Sequence, residues 1–254
     1  MMGSLGDTCC FFQKGEQCRF CGYFGSKKTF NISDFSEVAC EAFNENNNIT
    51  ITLTNGNTSS PDRGCFCYIP IVSQINDSIT RNFPGNKVPV QVECAPPEDA
   101  RCLHDLFKAG VDSFSINYEC FDHEVRNKVI PGKGKIPTSQ YENAWRYVID
   151  NLGNGQVSSA ILFGLDTYQN TLDGLLWLIN LGVRPNVIPF KPVIGAIFQF
   201  KKRPCYIEYY EICKELSTAL KESSLDQIVN LGCSSCGGCN IEGDFCLLDG
   251  KRKK

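Results

Sequence analysis

Ile49-Thr50-Ile51-Thr52-Leu53-Thr54-Asn55-Gly56-Asn57 is a β-branched, alternating run that stops at a glycine turn. Alternation with a period of two is a strand pattern, and glycine at the exit lets backbone pass close to a ligand. Further strand-like runs recur along the chain at Thr8–Phe12, Val88–Glu93, Ser113–Tyr118, Ser158–Leu165 and Val187–Phe190. Most are followed by helical spacing: Glu98–Ala109, Ser139–Asn151, Thr171–Leu181 and Glu208–Glu222. A further helix, Ser33–Glu45 with Ser33 as its N-cap, precedes the Ile49 run. Such alternation predicts a parallel sheet clothed in helices. Six strand–helix units are too few for a closed barrel of about eight, so the expected fold is α/β, a partial (β/α)6 TIM-type barrel. Functional side chains are then expected where the strands end and the β-to-α loops begin. We divide the chain into a barrel, residues 1–225, and a short cysteine-rich C-terminal segment, residues 226–254, that binds metal.

The 254 residues carry 25 Lys and Arg against 28 Asp and Glu, for a net charge of −3. That balance excludes a nucleic-acid-binding surface as the main business. The longest basic run is the Lys251-Arg252-Lys253-Lys254 tail, read as a solvated terminus. No apolar run approaches the roughly 18–20 residues of a membrane span. The chain has 16 cysteines, which read either as extracellular disulfides or as intracellular metal ligands. Met1–Phe12 has neither a basic start nor an apolar core, so no secretory leader is read there. The sequons at Asn31, Asn48, Asn57 and Asn76 then carry little weight. The expectation is a cytoplasmic protein whose cysteines are partly ligands.

Two cysteine groups stand out. In Cys9-Cys10-Phe11-Phe12-Gln13-Lys14-Gly15-Glu16-Gln17-Cys18-Arg19-Phe20-Cys21, the last two cysteines flank two residues and Cys10 lies eight before Cys18. Three thiolates on one loop hold three irons of a cubane and leave the fourth open. A zinc knuckle is the competing reading. The second group is Cys233-Ser234-Ser235-Cys236-Gly237-Gly238-Cys239, followed by Cys246. Successive two-residue steps turn the chain so that sulfurs converge on an iron–sulfur cluster or a zinc ion. Most of Cys40, Cys94, Cys102, Cys120 and Cys213 read as small buried hydrophobes; Cys65 and Cys67 flank Phe66 in a loop, with contact to a cluster or substrate the minor reading.

Cys18-Arg19-Phe20-Cys21 resembles the radical SAM superfamily signature, whose last two cysteines are spaced Cys-x-aromatic-Cys. The first gap, Cys10 to Cys18, is longer than the common form, and Cys9 is the alternative first ligand. The likeness runs on through Ile51–Asn57 with Asp62-Arg63-Gly64, Ser115-Ile116-Asn117-Tyr118-Glu119, Pro131-Gly132-Lys133-Gly134, Ser159–Asp166 and Val187–Pro192. It covers roughly residues 8–200 and is similar to the biotin-synthase-like and hydrogenase-cofactor-maturase branch. The resemblance implies a [4Fe–4S] cluster on Cys10, Cys18 and Cys21 that binds S-adenosylmethionine. It implies that the Asn55-Gly56 turn meets the methionyl amino group; Tyr23, just past the motif, reads either as a packing residue or as a contact for the adenine. Asp166 stands where such relatives often carry Glu. The expected outcome is reductive cleavage to a 5′-deoxyadenosyl radical acting on a small-molecule substrate, with a ferredoxin or flavodoxin as electron donor. From the strand pattern itself, Asn117 and Glu119 share one face and suit ribose hydroxyls or the ammonium, with Glu93 a second acidic candidate at the same mouth.

Competing chemistries do poorly. His104 and His123 lack metal spacing or a nucleophile elbow. Gly132-Lys133-Gly134-Lys135 imitates a phosphate loop, but that pattern needs glycine where Asn127 stands. Lys133 reads as a loop cap or as a contact for an anionic substrate. The alternative to an enzyme is a non-catalytic iron–sulfur or zinc-binding barrel, part of a split or degenerate enzyme, motivated by the long first gap.

Overall fold

A computed structural model describes residues 1–6, 9–22, 31–225, 232, 236, 238–241 and 243–245. Six strands form one wholly parallel sheet in sequential order: β1 (Met2–Ser4), β2 (Ile51–Thr54), β3 (Val90–Glu93), β4 (Ser113–Ser115), β5 (Val157–Phe163) and β6 (Arg184–Pro189). Among the described residues the two ends of that order, β1 and β6, each have one neighbour, so the barrel is partial as expected. Nine helices among the described residues connect the strands: α1 (Cys10–Gln13), α2 (Ile32–Glu45), α3 (Ile69–Asn82), α4 (Leu103–Ala109), α5 (His123–Val129), α6 (Pro131–Gly134), α7 (Thr138–Leu152), α8 (Tyr168–Asn180) and α9 (Tyr206–Glu222).

The first strand is not where the sequence pattern put it. β1 is Met2–Ser4, in register with Thr52–Thr54 of β2, whereas Cys10–Gln13, inside the expected strand, is a helical turn. Three residues with a central glycine carry no alternation to read. Gly3 is nevertheless suited to its place: a Cβ there would stand 2.9 Å from the Phe35 ring of α2. The pattern also passed over α3. Its stripe Ile71, Val72, Ile75 and Ile79 is buried, and Pro70 sits in its first turn, where no N–H is missed. α2 is capped by Asn31 rather than Ser33, and the Asp34 carboxylate accepts a 3.2 Å hydrogen bond from the Asn31 N–H.

The core follows from strand burial. Every residue of β5 is buried, as a strand covered on both faces requires. Behind β4 and β5 lies an aromatic cluster in which Trp145 of α7 faces Tyr118, Tyr141 and Trp177 at centroid distances of 6.1, 5.7 and 5.3 Å. The Trp145 indole donates a 3.1 Å hydrogen bond to the Ile116 carbonyl, so its one polar atom is satisfied. This cluster backs the β4 exit, where the site lies. Trp145→Ala should destabilise the fold by about 3–5 kcal/mol, read as a lower denaturation midpoint. A loss under about 1 kcal/mol would show that the cluster is not part of the stabilising core.

Candidate active site at the strand ends

Asn117 ties three strands together at the mouth. Its side-chain oxygen accepts from the Ala160 N–H of β5 at 2.9 Å and from the Ser115 hydroxyl at 3.0 Å. Its amide nitrogen donates to the Glu93 carboxylate at the end of β3. Burial pushes the Glu93 carboxyl pKa up; Lys133 opposes this and the Glu119 charge adds to it.

Glu119 is the most constrained residue of the site. Its φ is 75°, a left-handed conformation rarely adopted by side-chain-bearing residues. Two backbone hydrogen bonds to β5 hold it there, to the Ala160 carbonyl and from the Leu162 N–H, both 2.8 Å. Only 7% of the residue is exposed. One carboxylate oxygen, Oε1, pairs with Lys133 Nζ at 2.7 Å; the other, Oε2, is buried without a hydrogen-bond partner. Burial works to lower the Lys133 pKa, yet the Glu119 carboxylate and its other neighbours hold that ammonium above the usual lysine range. Lys133 thus neither caps its loop through its side chain nor stands ready for a substrate anion; it neutralises half of Glu119.

The cysteine loop packs onto this pair. Burial, and then the Glu119 charge, push the Cys18 thiol pKa up, while Lys133 opposes them; Cys21 and Cys9 are also among its electrostatic neighbours. Cys9 caps the start of α1 and is half-buried, with its sulfur 4.0 Å from the Asn57 amide nitrogen. Cys10, expected as the first ligand, is 5% exposed and belongs to the hydrophobic core; its N–H donates to the Asn57 carbonyl at 2.7 Å. Cys9 is thus one of the cysteines electrostatically beside Cys18, while Cys10 is packed into the core. The loop is fixed against Gly132, whose N–H donates to the Glu16 carbonyl at 2.9 Å. A Cβ on Gly132 would stand 2.3 Å from Phe11 and 2.8 Å from that carbonyl.

Other expected site residues fall out differently. Asn55 donates to the Cys67 sulfur at 3.2 Å, and Gly56 is buried beside it at the β2 exit. Asp166 is not part of the mouth network. One of its oxygens accepts from the Asp122 N–H at 3.1 Å; the other accepts from the Thr167 N–H at 2.7 Å and the Asn170 amide at 2.8 Å. Its carboxylate is consumed in building the turn into α8. Cys236 and Cys239 are exposed. Asn240 reaches Asn186 of β6 at 3.5 Å. Tyr23, Cys233 and Cys246 lie outside the described residues, as do residues 226–231 and 247–254 of the C-terminal segment.

Arg126 was missed by sequence reasoning, because the stretch between the fourth strand and Ser139 reads as a long loop, and α5 within it was not expected. It is 2% exposed, with its guanidinium over Tyr118 at 4.1 Å and Tyr141 at 4.9 Å. One nitrogen donates to the Lys133 carbonyl at 3.2 Å, while Nε and Nη2 are buried without acceptors. With Glu119 Oε2, these are buried polar atoms without partners at the same end of the sheet, and each asks for an explanation.

No protein-family profile matches the chain. In sequence it is 22% identical over 205 residues to bacteriochlorophyllide c C-7(1)-hydroxylase of Chlorobaculum limnaeum, covering 72% of this chain and 50% of that one. The structure of HydG, a maturase of the [FeFe]-hydrogenase, aligns at a TM-score of 0.65 and 17% identity, over 87% of this chain and 50% of that one. Coproporphyrinogen III oxidase (HemN) from Escherichia coli, a radical SAM enzyme, aligns at a TM-score of 0.57 and 14% identity, over 87% and 52% of the two chains. The fold is that of the radical SAM enzymes. The chain spans about half the length of these three relatives. Within the radical SAM fold, the Glu93–Asn117–Glu119 network and the cysteine loop share the C-terminal edge of the sheet.

Glu93 gives a pH-dependent test of this geometry. Its folded pKa is raised above the ordinary value of 4.5, so its contribution is most favourable below that value and is lost as pH rises through the folded pKa. Glu93→Gln should therefore raise Tm at pH 8 and lose that advantage near pH 4. Equal or lower Tm for the variant at pH 8 would contradict the buried carboxylate.

Proposed function

We propose that the chain is the catalytic barrel of a radical SAM enzyme acting on a small-molecule substrate, its cysteine loop holding a [4Fe–4S] cluster through Cys9, Cys18 and Cys21. The buried, unpartnered Oε2 of Glu119, beside that loop, is the observation that carries this reading. The donor set is chemically suited to the cluster. Cys9, Cys18 and Cys21 are all among the described residues, and Cys9 and Cys21 act electrostatically on Cys18. A cubane takes one thiolate at each of three separate iron corners. When bound, the cluster and S-adenosylmethionine supply one-electron reductive cleavage to a 5′-deoxyadenosyl radical.

The chain's own residues bind and orient. Glu119 Oε2 accepts from a ribose hydroxyl or the α-ammonium, its other oxygen being already neutralised by Lys133. Asn117 and Glu93 hold the floor of the same mouth, and the Asn55-Gly56 turn lies at its β2 side. The Cys233, Cys236, Cys239 and Cys246 set is proposed to bind a second metal centre, iron–sulfur or zinc. Among the described residues no helix is long and apolar enough to cross a membrane.

Dithionite-reduced, anaerobically reconstituted protein should release 5′-deoxyadenosine; no release at full cluster loading sinks the proposal. Cys9→Ser and Cys18→Ser should each lose the iron and sulfide of this loop, whereas Cys10→Ser should keep them. Retention in the Cys9 variant and loss in the Cys10 variant would return the third ligand to Cys10. Glu119→Gln should weaken S-adenosylmethionine binding by the roughly 1.5–3 kcal/mol of a hydrogen bond to a charged group, about 10- to 150-fold by equilibrium binding. Unchanged affinity would remove Glu119 from the binding site.

A further inference from the structure

The turn at residues 61–68, after the β2 exit, lies against the chain leaving β3, residues 93–98. The Glu98 N–H donates to the Pro61 carbonyl at 2.8 Å, and the Glu98 carboxylate pairs with Arg63 at 3.3 Å. At the other end, the Tyr68 hydroxyl donates to the Glu93 carbonyl at 2.6 Å. Positions rise on one side as they fall on the other, so the two stretches run antiparallel and their middles meet. There Cys65 faces Cys94 and Ala95. Its sulfur lies 4.0 Å from the Ala95 carbonyl oxygen, and the two thiols are hydrogen-bonded to each other. Two successive left-handed residues, Arg63 at φ 57° and Gly64 at φ 92°, make the bend that carries Cys65 there.

Three thiols gather at this place and differ in what they can do. The Cys67 thiol donates to the Gly64 carbonyl at 2.6 Å, and its sulfur accepts from the Asn55 amide at 3.2 Å, so it is held on the β2 side. Cys65 is wholly buried and Cys94 half-buried. The hydrogen bond to Cys94, and then burial, push the Cys65 thiol pKa up, so Cys65 keeps its proton in the resting pair. A reagent arriving from solvent therefore meets Cys94 first, and reactivity follows access.

We propose that Cys65 and Cys94 form a reversible disulfide site, oxidised by a low-molecular-weight disulfide of the glutathione class. In the first step the Cys94 thiolate attacks one sulfur of glutathione disulfide; that S–S bond breaks, one glutathione leaves, and Cys94 carries the other as a mixed disulfide. In the second, Cys65 attacks the Cys94 sulfur and the second glutathione leaves. The two cysteines lose two electrons, one glutathione disulfide is reduced to two thiols, and the two cysteine protons end on the two departing glutathiones. Cys94 is the attacked position and Cys65 the buried resolving partner. The new bond ties the turn to the strand end that bears Glu93. The same turn packs on the β2 exit, where a Cβ on Gly64 would stand 3.7 Å from the Gly56 carbonyl oxygen, so the thiol state of this pair sets how firmly both sides of the mouth are held. The inference stands independently of the enzyme reading.

The test incubates the full-length reduced chain with glutathione disulfide, traps remaining thiols by alkylation and maps the peptides by mass spectrometry. The Cys65-containing and Cys94-containing peptides should be joined, and Cys67→Ser should form the same link. Cys65→Ser should stop at a glutathione adduct on Cys94. Cys94→Ser should leave Cys65 unmodified until denaturant is added. The oxidised wild type should melt several degrees above the reduced form, because the bond closes a long loop, and Cys65→Ser should show no such gain. A link that persists in Cys65→Ser, a Cys65–Cys67 bond inside one peptide, or a glutathione adduct on Cys94 of the wild type that never resolves would each overturn the proposal. So would a linked wild type that melts no higher than the reduced chain, since the two sulfurs would then have been pulled out of place to meet. The wild-type map decides the matter even where a serine variant does not fold.

Discussion

The buried Glu119–Lys133 pair is the constraint around which the mouth of the barrel is organised. Glu119 occupies a left-handed backbone conformation, which costs a side-chain-bearing residue about 1–2 kcal/mol. Its two hydrogen bonds to β5 continue the sheet beyond the last regular residue of β4 and fix the carboxylate over the strand ends. A charged group so deeply buried needs a partner, and Lys133 supplies it from α6. Only one oxygen is matched, so the pair leaves an oriented acceptor beside the cysteine loop. Positioning, more than stability, is what this arrangement provides.

The same geometry explains why the segment after β4 is close-packed. Lys133 reaches Glu119 only if Pro131–Gly134 folds as a short helix, and that turn carries the Arg126 contact to the Lys133 carbonyl. Gly132 then lets the turn press against Phe11 and Glu16. The ion pair, the α6 turn and the cysteine loop are thus one mechanical unit. A displacement of any of them moves Cys18 relative to Glu119.

Much of the fold was legible in the sequence because its strands obey simple rules. β2 through β6 announce themselves by alternation or by continuous apolar runs between glycines. Met2–Ser4 does not, since three residues cannot display a period. α3 was overlooked although its stripe at Ile71, Val72, Ile75 and Ile79 is regular; the preceding Cys-Phe-Cys-Tyr and Pro70 read as a loop. Asn117 and Glu93 were found by reading strand ends, and the structure joins them by a hydrogen bond. The difference in burial between Cys9 and Cys10 was not legible, because adjacent residues at a helix start differ in direction and not in chemistry. Asp166 looked like Glu119 in sequence and differs from it in having every oxygen engaged by the α8 turn. Arg126 gave no signal, because its burial is a product of Tyr118 and Tyr141 packing around it from distant positions.

The central claim is that the loop bearing Cys18 and Cys21 leaves one iron corner open beside Glu119. Electron paramagnetic resonance of the reduced, reconstituted protein, recorded with and without S-adenosylmethionine, tests it most directly. The account predicts a [4Fe–4S]⁺ signal whose g-values shift when the nucleotide is added. A signal indifferent to S-adenosylmethionine, or a loop that retains zinc and no iron, would contradict it.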